Sequence, residues 1–296
     1  MSDAQVRYQE RPVAARPLLD EEPRDGVDRL PFWKCYAEGN SYVLLEAQPG
    51  AIASAGWIAD GIRGLGGDGL IVIDSDPDTV THHMRVFNVD GSEAAWCGNG
   101  ARAAAALICE RDGLTPGDAV TVVSSGASVE HVLLDRDPWT FRAEMPLPAD
   151  PILEVGEGGR VVQMELGVPH LIVFGPRPAG DDVAAAGAAL CDTRPGGTNV
   201  MFASHDGDGG LTVTPWERGV GPVRGCATGA AAAAIAAERV AGRPIGGGYV
   251  RQPGGAIQVE WDGDVLTMTG TVQVVATGMV VRDRAETAAE GVPVTG

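Results

Sequence analysis

Lysine is almost missing from this chain. Of its 22 basic residues only Lys34 is a lysine, and the other 21 are arginine. An enzyme that works through pyridoxal phosphate needs a lysine for its resting Schiff base. Nothing around Lys34 resembles a phosphate cradle, so that chemistry is set aside, and no cofactor is expected. Basic charge is short overall: 40 acidic residues against 22 basic ones leave a formal charge of −18 over 296 residues. Nucleic-acid binders need a basic footprint, as do proteins that dock on anionic membranes, and neither class fits. No apolar run reaches the roughly 18 residues of a membrane span. The first thirty residues lack the apolar stretch of a secretory signal. The expected compartment is the cytoplasm.

Paired cysteines are also lacking. The five cysteines, at 35, 97, 109, 191 and 226, are odd in number and contain no Cys-x-x-Cys. They fit neither a disulfide framework nor a zinc site, and no metal is expected. Cys35, Cys109 and Cys191 read as small buried apolar residues.

Residues 1–30 mix charge and proline with little apolar periodicity, and read as an extension. From Pro31 onward short strand-like runs separated by Gly and Asp appear, such as Tyr42–Leu45, Leu70–Ile73 and Met84–Phe87. An alanine-rich stretch, Ala101 to Arg111, reads as a helix stopped by Asp112-Gly113. Strand-like runs follow at Ala119–Val123, Val129–Leu134 and Phe141–Met145, then a proline-rich linker, Pro146 to Pro151. The second half repeats the theme, with strands before a second alanine-rich helix, Thr228 to Ala241.

The repeat is closest around two cysteines. Cys97-Gly98-Asn99-Gly100-Ala101-Arg102-Ala103-Ala104-Ala105 matches Cys226-Ala227-Thr228-Gly229-Ala230-Ala231-Ala232-Ala233-Ala234. Each copy sets a Cys, with Gly three residues later, at the start of an alanine-rich helix. This implies two similar domains about a pseudo-twofold axis, with the cysteines facing one another across a cleft. A helix start presents unpaired amides and the positive end of the macrodipole, which acidify a thiol and bind a carboxylate. Two thiols flanking the carbon that bears that carboxylate could remove a proton from one face and return one to the other. Spacing alone is equally satisfied by two buried cysteines at helix starts, or by a disulfide joining the halves.

Longer motifs narrow the choice. Met84-Arg85-Val86-Phe87-Asn88-Val89-Asp90-Gly91-Ser92-Glu93 leads into Trp96-Cys97-Gly98-Asn99-Gly100-Ala101-Arg102. Trp216-Glu217-Arg218-Gly219-Val220-Gly221 leads to Cys226-Ala227-Thr228-Gly229-Ala230. Gly197-Thr198-Asn199-Val200 and Gly64-Leu65-Gly66-Gly67-Asp68-Gly69 also stand in order, as does Gly39-Asn40-Ser41-Tyr42-Val43 at the place of the family's Gly-Asn-Asp-Phe-Val. In these motifs the chain resembles the diaminopimelate epimerases, pyridoxal-independent two-thiol isomerases, over nearly its whole length beyond the extension. The resemblance implies an α+β fold of two pseudo-symmetric domains, each a mainly antiparallel sheet or barrel wrapped around a central alanine-rich helix. The expected division is an extension (1–30), a first domain (31–147 plus about 272–284), a second (148–271) and a tail (285–296).

It further implies that Cys97 and Cys226 are the acid/base pair. The amides of Gly98, Asn99, Ala227 and Thr228 would hold the reacting carboxylate of a small amino-acid substrate, and Asn40, Asn88, Asn199, Glu217 and Arg218 its remainder. His170 stands at the His of the family's Gly-Asn-Pro-His. A homodimer is implied at the family level. The reaction belongs to lysine and cell-wall synthesis in that family.

The departures concern the substrate. Val168 stands where the family has an Asn that contacts the distal end of diaminopimelate. Pro222-Val223 replaces Glu-Thr, Ala227 replaces Gly, and Ala103 replaces a Cys. Inversion of another amino acid is therefore a second reading, and a catalytically silent ligand-binding relative a third. The retained thiol pair argues against the third, since holding a carboxylate needs no thiol. Proline racemase and phenazine-type isomerase relatives would share the fold but lack these motifs.

Overall fold

The computed structural model describes residues 27–75, 81–94, 96–125, 127–147, 152–156, 160–178, 180, 182–206, 210–241, 248–262 and 264–283. The first half runs β1 (Val27–Ala37), β2 (Asn40–Glu46), the single-turn α1 (Ala55–Ile58), β3 (Gly69–Ser75), β4 (Thr81–Asn88), β5 (Glu93–Ala94), α2 (Gly98–Arg111), β6 (Ala119–Ser124), β7 (Ala127–Arg136) and β8 (Trp139–Pro146). The second runs β9 (Ile152–Val155), β10 (Val161–Leu166), β11 (Val168–Phe174), α3 (Asp182–Cys191), β12 (Asn199–His205), β13 (Leu211–Glu217), β14 (Gly221–Pro222), α4 (Ala227–Ala241), β15 (Tyr249–Gln252), β16 (Gly255–Asp262) and β17 (Val265–Asp283).

The two halves use one pairing scheme. β1 pairs antiparallel with β2, β2 parallel with β3, β3 antiparallel with β4, and β4 parallel with β6. β10, β11, β12, β13 and β15 repeat those four relations in the same order. β17 joins the halves: its start lies between β16 and β8, and its remainder runs antiparallel to β1. With β7 bridging β6 and β8, the strands of the first half close into a ring.

A long helix fills the ring of the first half, and another lies among the strands of the second. α2 is buried on all sides from Asn99 to Cys109, and its alanines pack against Leu44, Ile71, Val86, Leu133 and Phe141. α4 lies the same way among Val162, Met201, Val213, Ile257 and Leu266. A helix apolar all round belongs inside a core. Alanine combines the best helix propensity with a side chain small enough for strands to close around it. β3 is buried on both faces, Ile71 and Ile73 towards α2, Leu70 and Val72 towards a separate cluster beneath α1, which explains its unbroken apolar run.

Two expectations need correction. The extension does not reach residue 30, because Val27 to Leu30 are already in β1, paired with β17, and Leu30 is 1% exposed in the core. That strand is specified by a partner 250 residues away in sequence, so no local pattern announces it. Helix α3, over β12 and β13, is also absent from the sequence reading. It carries a mid-helix glycine, normally a breaker, because any Cβ at Gly187 would overlap the Trp216 ring. The tail beyond Asp283 and most of the proline-rich linker lie outside the described residues.

A buried ion pair ties the first ring to its helix. Arg102 on α2 meets Glu38 at the β1–β2 tip, both side chains almost fully buried, and Glu38 also accepts from the Thr271 amide of β17. Beside it, His131 is pushed down to about 3 by burial and by Arg102, so it sits there neutral. Removing one partner of such a pair leaves an uncompensated charge, at a cost of about 3–5 kcal/mol. Arg102→Met is therefore expected to lower unfolding stability in urea by that order. Adding Glu38→Gln, which keeps the acceptor for Thr271 but removes the charge, should restore part of it. An Arg102→Met variant as stable as the parent would show that the pair is not holding the ring.

Candidate active site

The two long helices begin beside one another. A Cβ built on Gly98 would stand 3.6 Å from the Ala227 Cβ, so the first turns of α2 and α4 meet at van der Waals distance. Each helix is opened by its cysteine in the same way: Ala101 N–H donates to the Cys97 carbonyl (2.8 Å), and Ala230 N–H to that of Cys226 (2.9 Å). Cys97 is extended, and its Sγ accepts from the Gly100 amide at 3.3 Å, a cap made by sulfur. The Gly229 amide bonds the Cys226 sulfur likewise.

The shared glycine three residues after each cysteine now has a cause. A Cβ at Gly100 would lie 2.9 Å from Ile71 Cδ1 and 3.4 Å from Cys97 Sγ. One at Gly229 would overlap Met201 Sδ and lie 3.1 Å from Cys226 Sγ. Glycine lets the sulfur fold back over the first turn.

Further glycines bring the halves together. Gly39, at φ +108°, lies so close to the 224–225 loop that a Cβ would stand 2.6 Å from the Arg224 carbonyl carbon. Gly254 packs against Gly39 backbone to backbone, and Tyr36 donates its hydroxyl to the Gly254 carbonyl at 2.7 Å. The seam between the halves thus has almost no side-chain thickness.

The side chains around the two sulfurs differ. Tyr42 donates its hydroxyl to Cys97 Sγ at 3.1 Å. Cys226 has Thr228 Oγ1 at 3.7 Å, and the Glu217 carboxylate acts on its thiol, favouring the protonated form. The Cys226 amide donates to Gln252 Oε1 at 2.8 Å. Burial raises both thiols above the ordinary 9.0, Cys226 further because the Glu217 charge adds to it. This corrects the expectation that the helix starts acidify them. The amides do pull downward at both sulfurs, but desolvation is the larger effect. Burial likewise raises Glu217, opposed by its bond from Cys226.

The remaining residues singled out from the sequence fall into three groups. Asn99 and Asn40 are joined, Asn99 Nδ2 donating to Asn40 Oδ1 at 3.0 Å, and Arg102 donates to Asn99 Oδ1 at 3.3 Å. The buried ion pair thereby orients the first turn of α2. Asn199 accepts the Arg218 amide at 3.0 Å, and Asn88 donates to Ser92 at 3.0 Å within its own turn. His170 sits level with Asn199 on the adjoining strand, fully buried, and desolvation pushes it down to about 4. Among the described residues, no hydrogen bond joins His170, Asn88 or Arg218 to either sulfur. Val168 is 40% exposed at the start of β11.

The sequence reading passed over the hydroxyl of Tyr42, Asp68 and Gln252. Tyr42 lay in a quoted motif, where Tyr for Phe was a readable signal. Asp68 accepts the Ser41 amide at 2.6 Å and acts on both Tyr42 and Glu217. Gln252, a β15 residue, had no local signal.

The surroundings of this site have close relatives. The family model "Diaminopimelate epimerase" matches twice, over residues 32–145 and 162–275. A diaminopimelate epimerase of Desulforudis audaxviator is 34% identical over 287 residues, covering 86% of this chain and 100% of its own. One from Erythrobacter litoralis is 35% identical over 265 residues, covering 82% and 94%. Among solved structures, a phenazine biosynthesis PhzF-family protein of Enterococcus faecalis superposes with a TM-score of 0.62 at 11% identity, covering 86% of this chain and 99% of that one. A hydroxyproline epimerase of Agrobacterium vitis superposes at 0.59 and 16%, covering 86% and 93%. These two show the same mixed-sheet α+β architecture. With both halves matched by the family model and whole-length relatives above 30% identity, the chain belongs to the diaminopimelate epimerase family.

Proposed function

We propose that this chain inverts the α-carbon of an amino acid by exchange of protons with two thiols, Cys97 on one face and Cys226 on the other. The observation that carries this is the meeting of two cysteine-opened helices at Gly98 and Ala227. Amides of the first helical turn have no partner within their own helix. Those of Gly98, Asn99, Ala227 and Thr228 therefore converge on a carboxylate from both sides. When one sulfur, as thiolate, takes the α-proton, the electron pair it leaves moves into that carboxylate. The charge grows where the amides and both helix dipoles are already aimed, in a site that excludes water. The other sulfur, as thiol, then gives its proton to the opposite face. The product has the mirror-image centre, and the two sulfurs have exchanged protonation states.

The Glu217 carboxylate favours the protonated form of Cys226. Asn40, held by Asn99, together with Asn199, Asn88, His170 and Arg218, would receive the rest of the substrate. A pair of working thiols requires reducing surroundings, which favours the cytoplasm. Cys97→Ala and Cys226→Ala should each abolish racemisation, measured as loss of optical rotation, with the circular-dichroism spectrum unchanged. Ser at one position should leave α-proton exchange in deuterium oxide from one stereoisomer only, since the remaining thiol still serves its own face. Full racemisation by either Ala variant would sink the mechanism.

The relatives' name points to diaminopimelate, and one observation favours a different distal group. Val168, an apolar side chain, stands where the family carries a polar contact. Burying a charged distal end with one partner missing costs roughly 1–3 kcal/mol, about tenfold to a hundredfold in selectivity. In steady-state assays L,L-diaminopimelate should be outperformed by an amino acid with a less polar end, and Val168→Asn should raise its kcat/KM. If diaminopimelate already exceeds a panel of basic and aromatic amino acids, and Val168→Asn brings no gain, the distal reading is wrong.

A further inference from the structure

The two sulfurs occupy equivalent places in the repeated fold, yet their neighbours are not equivalent. Tyr42 on β2 lies opposite Gly69, which lies opposite Asn88. On the other side His170 lies opposite Asn199, one residue before the Val200–Trp216 pair and so level with Glu217. The register therefore pairs Tyr42 with His170 and Asn88 with Glu217 about the pseudo-twofold. Of these four, Tyr42 donates to Cys97, and the Glu217 carboxylate opposes ionisation of Cys226.

A thiolate is an acceptor only and is stabilised by donors, whereas a thiol beside a carboxylate is stabilised as a donor. Two donors converge on Cys97 Sγ, the Tyr42 hydroxyl at 3.1 Å and the Gly100 amide at 3.3 Å. Cys226 Sγ has the Gly229 amide and a Thr228 hydroxyl no nearer than 3.7 Å, and the Glu217 carboxylate beside it opposes ionisation. We propose that Tyr42 decides which sulfur is the base in the free enzyme: its hydroxyl holds Cys97 as the first of the pair to ionise, leaving Cys226 as the acid.

This rests on the two-thiol reading and adds the order of ionisation to it. Tyr42 is then a positioning residue that acts through Cys97. The other groups facing Cys97 are the Asn99 amide, which assists, and Glu217, whose charge opposes. Burial, and then Cys97, Asp68 and Glu217, keep the phenol protonated and so able to donate. At Cys226 the Gly229 amide and Thr228 assist ionisation, but burial and Glu217 outweigh them.

The test needs no substrate. The full-length protein is treated with iodoacetamide across a pH series, and alkylation of each cysteine is followed by peptide mass spectrometry. The midpoint of each rate profile reports ionisation whatever the access to the sulfur. Cys35 and Cys109, pushed up to about 12 by burial, serve as internal controls. Cys97 is expected to show the lower midpoint of the pair. In Tyr42→Phe its midpoint should rise by about one pH unit, a roughly tenfold lower rate at any pH below it, with Cys226 unmoved. Phe is the residue the family pattern has at this position, so the variant is isosteric with a tolerated one. A second measurement avoids that variant: on titrating the protein by its ultraviolet thiolate absorbance, the first thiolate to appear should vanish in Cys97→Ala and persist in Cys226→Ala. A Cys97 midpoint unaffected by Tyr42→Phe, or Cys226 ionising first in the parent, overturns the proposal. Either result leaves the epimerase reading standing, since that depends on α-proton exchange in the Cys→Ala variants.

Discussion

Two helix starts aimed at one point are the constraint on which the rest of this structure depends. Each carries the equivalent of roughly half a positive charge, so bringing them together is unfavourable unless something negative lies between. The Glu217 charge acts on both cysteines at these starts, and a substrate carboxylate would answer the same need. The arrangement is thus strained towards anion binding before any side chain contacts a ligand, and the same field is strongest where a carbanion's charge would be delocalised. Cys97 and Cys226 stand at the edge of that field.

Much of the fold serves to hold the two starts in place. Alanine keeps each helix thin enough for strands to pack closely around it, and β17 runs from the second half into the first, pairing with β16, β8 and β1. Gly39 and Gly254 remove side-chain thickness from the seam. Arg102 and Glu38 lock α2 to the β1–β2 tip, and through Asn99 the same contact reaches Asn40 at the site. An ion pair in the core is costly to desolvate, so its use here fits a demand for position more than for stability.

The pseudo-twofold is kept by the backbone and broken by the chemistry. The cap, the glycine at the third helical position and the strand order repeat in both halves. Tyrosine against histidine and asparagine against glutamate do not. A two-base inversion needs this, because the resting enzyme must hold one thiolate and one thiol, and a symmetric site offers no reason for either assignment.

The local parts of this design were readable in the chain. Alanine runs indicate buried helices, a Cys before a glycine-rich turn indicates a cap, and a repeat of both implies two like halves, since each follows from contacts a few residues apart. The missing lysines removed pyridoxal chemistry by the same kind of argument. What the chain alone left open depends on distant partners. Val27 to Leu30 are strand only because β17 lies alongside, α3 tolerates Gly187 only because Trp216 fills the space, and Tyr42 reaches Cys97 across 55 residues. The sign of the thiol shifts was likewise out of reach. The helix amides that acidify a thiol are visible in sequence, whereas the desolvation that outweighs them comes from everything packed around it, and only the folded chain determines that.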